Sequence, residues 1–232
     1  MIQILCVIHR NYSLLDLQIE HWKKIKGDFE LLFLDNTPSN ERQSRPNMLY
    51  LDTPGSDGES HGAALDYLVS QATSDIVGIV DSDFFWTDEN IINEVEELFS
   101  QGNICVGASA KYQDWEEYMD KCFPDRHSSL APVVWGMFVD RKLAAEQTFV
   151  CTSEEGRTSR WYTGHRLRQR IIEQNLPRVT YQGFYPNGSN DSDGVYYGEP
   201  GKVKGVHFLK GSAAKWGQAN QVLPGILATL GF

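Results

Sequence analysis

The chain has 232 residues, of which 41% are hydrophobic, and a formal net charge of −10 at pH 7. This length and apolar content are enough for a sizeable core and suit one α/β domain, or one domain with an appended lobe. The 12% aromatic share, with 20 glycines and 9 prolines, counts against a coiled coil and against disorder. The negative charge counts against a nucleic-acid polymer or an anionic membrane surface as the main partner.

The cysteines and the apolar runs indicate the cellular setting. Cys6, Cys105, Cys122 and Cys151 are widely spaced and form no C-x-x-C pair. Cys6 and Cys105 lie within apolar runs, which predicts buried thiols in a reducing compartment. No run approaches the roughly 20 apolar residues of a membrane span. We therefore expect a cytoplasmic protein without an integral membrane segment.

The first 110 residues alternate between strand-like and helix-like segments. Apolar runs predict strands at 2–8, 29–34, 48–51, 76–80 and 104–108. Amphipathic patterns predict helices at 14–26, 60–72 and 89–100. Ser13 and Asp88 would cap the first and the third of these helices. The alternation implies right-handed crossovers and a mainly parallel central sheet.

The pattern becomes irregular after Ser109, and no linker there is rich enough to separate two domains. The clearer segments are strands at 133–139 and 203–209 and a helix at 163–174. Residues 185–201 are rich in glycine and proline, which predicts a long surface loop of the kind that often covers an active site. We therefore expect a single α/β domain over residues 1–232.

Polar residues stand directly after three predicted strands, at His9, Asp35 and Asp81-Ser82-Asp83. In open α/β sheets, ligands bind outside the carboxyl ends of the strands. Burial of two carboxylates, separated by one residue at the end of a buried strand, costs free energy of desolvation unless a cation neutralises them. A divalent ion that also binds substrate phosphates would do so. The alternative for the tripeptide is a turn or a helix cap.

The segment from 61 to 83, with the strand ends at 7–11 and Asp35-Asn36, resembles the GT-A glycosyltransferases, particularly family 2. In both, a helix rich in small residues precedes the strand that carries the acidic motif. The resemblance implies a single GT-A, Rossmann-like domain with an irregular C-terminal half on the acceptor side. Residues 1–110 would bind the nucleotide sugar. Residues 111–232 would bind the acceptor and complete the metal site.

The resemblance also implies roles for individual residues. His9 lies in the first nucleotide-binding loop and would contact the donor, and Asp35 would contact its base or ribose. Asp81 would face the ribose or the metal, and Asp83 would bind the metal beside the diphosphate. The alternative for Asp35 is a turn residue before Thr37-Pro38.

A histidine leaves the last predicted strand next to glycines, at Gly205-Val206-His207. In many GT-A enzymes a late histidine in this setting completes the metal site, so the resemblance implies that His207 binds the metal or the diphosphate. The ion would be Mn²⁺ or Mg²⁺. Lys210 would neutralise the diphosphate. The alternatives are a packed histidine and an ordinary surface lysine.

The catalytic base is the least defined part of the predicted site. Inverting members of the family usually carry it in an acidic pair at the start of a helix after the acidic motif, and Glu155 is the candidate here. Tyr162 stands at a second position where an acid is expected. The alternative for Glu155 is a solvated acid favoured by a helix dipole.

These residues predict a metal-dependent glycosyltransferase. It would move a sugar from a UDP- or GDP-linked donor to a hydroxyl acceptor such as a saccharide, in glycan or polysaccharide synthesis. The first alternative is a non-catalytic relative that binds a nucleotide sugar or glycan. The second is a sugar-nucleotide pyrophosphorylase, which is disfavoured because the loop at 9–13 lacks the glycine-rich phosphate-binding sequence.

Overall fold

The structure is a computed structural model that describes residues 1–52, 57–109, 131–150, 163–184, 195–199 and 201–208. Its strands, numbered in chain order, are β1 (Ile2–Ile8), β2 (Phe29–Asp35), β3 (Met48–Tyr50), β4 (Ile76–Asp81), β5 (Phe84–Trp86), β6 (Cys105–Ser109), β7 (Pro132–Asp140), β8 (Arg178–Tyr181), β9 (Gly183–Phe184), β10 (Val195–Glu199) and β11 (Lys202–His207). Its helices are α1 (Tyr12–Trp22), α2 (Asp57–Gln71), α3 (Ile91–Ser100), α4 (Arg141–Ala145) and α5 (His165–Glu173).

Seven strands form the main sheet, in the order β3-β2-β1-β4-β7-β6-β8. All neighbours in this sheet are parallel except β7, which runs antiparallel to both β4 and β6. The α/β class and the mainly parallel central sheet that the sequence predicts are therefore confirmed.

Strand β1 is an inner strand of the sheet, between β2 and β4, and contributes to two hydrophobic cores. Every residue of β1 is buried, with exposed fractions of at most 8%. Ile4 belongs to a core on one face with Trp22 of α1, and Leu5 belongs to a core on the other face with Leu65 of α2. Burial on both faces accounts for the continuous apolar run that identifies this strand in the sequence.

The predicted helix caps are wrong. Helices α1 and α3 follow Asn11 and Asn90 as cap residues, and neither side chain makes a capping hydrogen bond. Ser13 lies inside α1. Asp88 lies two residues before the cap of α3, where its carboxylate accepts the Asn90 N–H at 2.9 Å. Competing polar residues near a helix start leave its first residue poorly defined by sequence.

A second sheet, which the sequence does not predict, packs beside the first. Its four strands are antiparallel in the order β5-β11-β10-β9. Residues 195–199, predicted as part of a surface loop, form β10, so that part of the prediction is wrong. The strand is paired with β11, which begins three residues after β10 ends, and this pairing outweighs the glycine content that suggests a loop.

Phe84, the first residue of β5, packs against two glycines. A Cβ atom on Gly136 of β7 would lie 2.5 Å from the Phe84 ring, and one on Gly205 of β11 would lie 2.8 Å from it. Both glycines therefore leave room for a ring that joins the two sheets directly beside Asp83.

We expect Gly136→Ala to lower the free energy of unfolding by about 1–3 kcal/mol, because the added methyl group overpacks the site of the Phe84 ring. Urea unfolding of the purified chain measures the change. In a Phe84→Leu background the same substitution should cost less, since the smaller side chain leaves room for the methyl group. Equal costs in the two backgrounds would contradict this packing role.

Cys6 and Cys105 are buried free thiols, as the sequence predicts. Burial raises the pKa of both thiols above their ordinary value, so neither has the low pKa of a reactive cysteine. Within the described ranges, no helix has the length and apolar character that crossing a bilayer requires.

Candidate metal centre

The sheet brings the three polar strand ends to one edge. Strand β1 lies between β2 and β4, with Ile8 opposite Asp35 and Val7 opposite Asp81. His9, Asp35 and Asp81 therefore stand on neighbouring strands at the carboxyl edge, where open α/β sheets bind ligands.

Asp81, Asp83 and His207 form a cluster that could hold a metal ion. One ligand atom from each residue lies within 4.8 Å of the others. The side chain of Asp83 is fully buried, that of His207 is 7% exposed, and that of Asp81 is 21% exposed. The cluster is therefore buried at Asp83 and His207, and solvent reaches it at Asp81.

The second sheet carries His207 to the acidic motif across 124 positions of sequence. Strand β11 pairs with β5, which places His207 opposite Phe84. The N–H of Phe208 donates to the backbone carbonyl of Asp83 at 3.0 Å. Strand β5 begins only three residues after β4 ends. The pairing of β11 with β5 therefore holds His207 beside the turn that carries both aspartates.

The charges in the cluster are incompletely balanced. Nε2 of His207 lies 3.2 Å from Oδ1 of Asp83. Burial lowers the pKa of His207, but the Asp83 and Asp81 carboxylates outweigh it and the net pKa is raised. Burial raises the pKa of the Asp81 carboxyl, His61 opposes the shift, and Asp83 adds to it. A protonated His207 would still leave one net negative charge among the three groups.

Aromatic packing orients the His207 ring. The Trp135 ring stacks on it at a centroid distance of 5.4 Å and an interplanar angle of 26°, and the Phe84 ring lies at 6.0 Å. Nδ1 of His207 is buried and has no hydrogen-bond partner among the described residues. The ring is thus held by stacking, whereas metal-binding histidines usually have a hydrogen bond to the second nitrogen.

The donor set fits a divalent cation. The two carboxylates and the imidazole converge in a mostly buried site. A divalent ion bound by all three would neutralise the carboxylates and could also be coordinated by phosphate oxygens. Carboxylates suit both Mg²⁺ and Mn²⁺, and the imidazole nitrogen favours a transition metal such as Mn²⁺ over Mg²⁺.

Asp35 is fully buried, and both of its carboxylate oxygens accept hydrogen bonds. Oδ1 accepts from the Thr37 N–H at 2.8 Å, and Oδ2 accepts from the Tyr12 hydroxyl at 2.6 Å. The first of these bonds is that of an Asx turn, the role that the sequence leaves open beside nucleotide binding. Contact between Asp35 and a nucleotide stays a prediction.

The loop after β1 is joined to the loop after β2. Nδ1 of His9 lies 3.0 Å from Oδ1 of Asn36, and the N–H of Arg10 donates to Oγ1 of Thr37 at 2.7 Å. Arg10 has a φ of 60°, a left-handed conformation that is uncommon for a residue with a side chain. The two loops therefore form one surface at the carboxyl edge, with His9 part-buried within it.

His61 of α2 lies beside Asp81, a contact that the sequence does not predict. Its Nε2 atom is 3.7 Å from Oδ1 of Asp81, and its side chain is 31% exposed. The histidine stands in the stretch that resembles the GT-A enzymes, but its spacing from Asp81 predicts no contact by itself. Two other predicted residues, Glu155 and Lys210, lie outside the described residues, so their roles stay predictions.

Neither a protein-family model nor a curated protein matches the amino-acid sequence. Solved structures do match the fold. A mannosyltransferase from Pyrobaculum calidifontis, PcManGT, in complex with GDP-Man and Mn²⁺, is 14% identical with a TM-score of 0.50, and the match covers 77% of this chain and 54% of that one. Glucosyl-3-phosphoglycerate synthase from Mycobacterium tuberculosis, in complex with Mn²⁺ and UDP-glucose, is 14% identical with a TM-score of 0.52.

The match to the synthase covers 100% of this chain and 79% of the synthase. The chain spans about half of the length of the mannosyltransferase. At this level of identity the similarity concerns the arrangement of the backbone. It shows that the chain has the GT-A fold, which confirms the fold that the sequence resemblance implies.

Proposed function

We propose that this chain is a metal-dependent glycosyltransferase, which moves a sugar from a nucleoside-diphosphate donor to a hydroxyl acceptor. The observation that carries the proposal is the convergence of Asp81, Asp83 and His207 at the carboxyl edge of a GT-A fold. A fold alone does not define an activity. A buried cluster of titratable groups whose charges are incompletely balanced is typical of a functional site.

Asp83 and His207 would hold the ion from inside the protein, and Asp81 would hold it from the open side of the cluster. The ion, Mn²⁺ or Mg²⁺, would act as a Lewis acid on the diphosphate oxygens of the donor. The two structures with the GT-A fold contain Mn²⁺ with GDP-Man or UDP-glucose, which supports a UDP- or GDP-linked donor here.

The surface at the ends of β1 and β2 would bind the nucleoside part of the donor. His9 would contact the donor from its position beside Asn36. Asp35 would contact the base or ribose only if the residues that bury its side chain moved, among them Tyr12, whose hydroxyl donates to Oδ2, because Asp35 has no exposed surface. We therefore expect Asp35 to act largely by shaping the loop that follows β2.

The remaining parts of the reaction rest on the sequence. Glu155 would remove the proton from the acceptor hydroxyl, and Lys210 would add positive charge beside the leaving diphosphate. The acceptor would be a saccharide, and the reaction would belong to glycan or polysaccharide synthesis.

Hydrolysis of the donor tests the proposal without knowledge of the acceptor. We expect the chain with Mn²⁺ to release nucleoside diphosphate slowly from at least one UDP- or GDP-linked sugar, and EDTA to stop the release. Mn²⁺-dependent binding of a donor without any release or transfer would favour a non-catalytic nucleotide-sugar-binding protein. A chain that binds neither Mn²⁺ nor any donor would contradict the proposal.

A further inference from the structure

Gln18 of α1 is a fully buried polar residue in contact with the turn that carries the two aspartates. Its Nε2 atom lies 2.6 Å from the carbonyl oxygen of Phe84, 3.2 Å from that of Ser82 and 3.4 Å from that of Asp81. Its side chain is 0% exposed. The carboxamide has two N–H groups. One donates to the carbonyl oxygen of Phe84, and the other is shared between the more distant carbonyl oxygens of Ser82 and Asp81.

The orientation of the Gln18 amide follows from its second partner. The indole N–H of Trp22 donates to Oε1 of Gln18 at 3.0 Å. An indole nitrogen only donates, so the atom that it contacts must be the amide oxygen. The NH₂ group therefore faces the turn, and the opposite flip would leave both sides without a hydrogen bond.

Two elements share the carbonyl groups of the turn. Those of Asp81, Ser82 and Phe84 face Gln18, and the carbonyl of Asp83 accepts the N–H of Phe208, which follows β11. Four consecutive peptide groups are thus oriented by α1 on one side and by the end of β11 on the other. Peptide orientation sets the direction of each Cα–Cβ bond, and hence where the two carboxylates point.

We propose that Gln18 is a positioning residue of the metal centre: its carboxamide holds residues 81–84 in the conformation that directs Asp81 and Asp83 to one ion. This inference rests on the proposed metal-dependent function. Gln18 contacts no metal-binding atom itself and acts only through the backbone of the turn. Mutation of groups that orient metal ligands typically lowers metal affinity by about 10- to 100-fold.

His21 provides a matched control on the same helix. It is 4% exposed, and its Nε2 atom lies 2.8 Å from the carbonyl oxygen of Trp86, the last residue of β5. Burial lowers its pKa, so the neutral ring can donate this bond. Gln18 thus contacts the first residue of β5, next to the aspartates, and His21 contacts the residue furthest from them.

The experiment compares Mn²⁺ binding, by isothermal titration calorimetry, in wild type, Gln18→Met and His21→Met. Each variant loses a buried hydrogen bond to a β5 carbonyl, and Gln18→Met also loses the bonds to residues 81 and 82 and the acceptor for the Trp22 indole, so both should show a lower melting temperature, Gln18→Met the larger fall. We expect Gln18→Met to bind Mn²⁺ about 10- to 100-fold more weakly than wild type, and His21→Met to bind it nearly as wild type does. Wild-type affinity in Gln18→Met, or an equal loss in both variants, would overturn the inference.

Hydrogen exchange of the metal-free protein separates this inference from the proposed function. We expect faster exchange at residues 81–84 in Gln18→Met than in His21→Met, and unchanged exchange there would overturn the role of Gln18. A wild type that binds no Mn²⁺ would contradict the metal centre, and the exchange comparison would still decide whether Gln18 positions the turn. If Gln18→Met does not fold, Gln18→Asn, whose amide stands on a shorter stem, replaces it in both measurements with the same two outcomes.

Discussion

Asp83→Asn should weaken Mn²⁺ binding at least about 100-fold, which corresponds to about 2.8 kcal/mol. The Asp83 carboxylate is fully buried and lies against His207, so it is the innermost of the three candidate ligands. Asparagine keeps the size of the side chain but removes the negative charge that a divalent ion neutralises. Calorimetric titration of the metal-free protein with Mn²⁺ measures the change directly.

Thermal unfolding gives a second measurement of the same substitution. Mn²⁺ at about 100 times its Kd should stabilise the wild type by about 2.7 kcal/mol, and this raises the Tm of a protein of this size by about 5–11 °C. Asp83→Asn should show almost no rise. Asp88→Asn is the control, because it removes one carboxylate that pairs with Lys204 at 2.6 Å rather than with the cluster. An undiminished rise in Asp83→Asn would contradict the metal centre.

His207→Ala should weaken Mn²⁺ binding at least about tenfold, or about 1.4 kcal/mol. The substitution removes the imidazole nitrogen that would bind the ion and leaves only the two carboxylates of the cluster. His21→Ala, the same truncation at another buried histidine, should leave the affinity close to that of the wild type.

The pH dependence of binding identifies whether His207 is the ligand. A histidine must be neutral to bind a metal ion, and the carboxylates raise the pKa of His207 above its ordinary value of 6.5. The wild type should therefore lose affinity as the pH falls through that raised pKa, from above pH 6.5. His207→Ala should lack this part of the pH dependence. A variant with wild-type affinity and an unchanged pH profile would show that His207 is only a packed residue.

The predicted strands of the first half, and the polar residues at their ends, could be read from local sequence. Strand β1 is buried on both faces, so its apolar run is unambiguous. The parallel order that brings His9, Asp35 and Asp81 to one edge follows from the alternation of strands and helices. The acidic motif was therefore placed at the correct edge of the sheet without any knowledge of long-range contacts.

The sequence predicts β11 but not the sheet to which it belongs, because the other strands of that sheet are short and depend on distant partners. Strand β5 has three residues and would not be stable without β11, which lies more than a hundred positions later in the chain. Strand β10 includes Gly198 at a bulge, a feature that local propensity assigns to a loop. The contact of His207 with Asp83 depends on the same pairing, so the resemblance suggested the histidine but local pattern could not place it.

Local sequence is enough to predict the α/β class, the central strands and the position of the acidic turn, because burial of one or both faces of an element imposes a short-range pattern of apolar residues. The groups that surround the turn come from distant segments and are known only from the folded structure. Gln18 looks like one polar residue within the apolar stripe of a helix, and His61 lies twenty positions before Asp81. Whether such side chains lie beside the acidic turn depends on how α1, α2 and β11 pack, and packing between distant segments leaves no periodic signal in a single sequence.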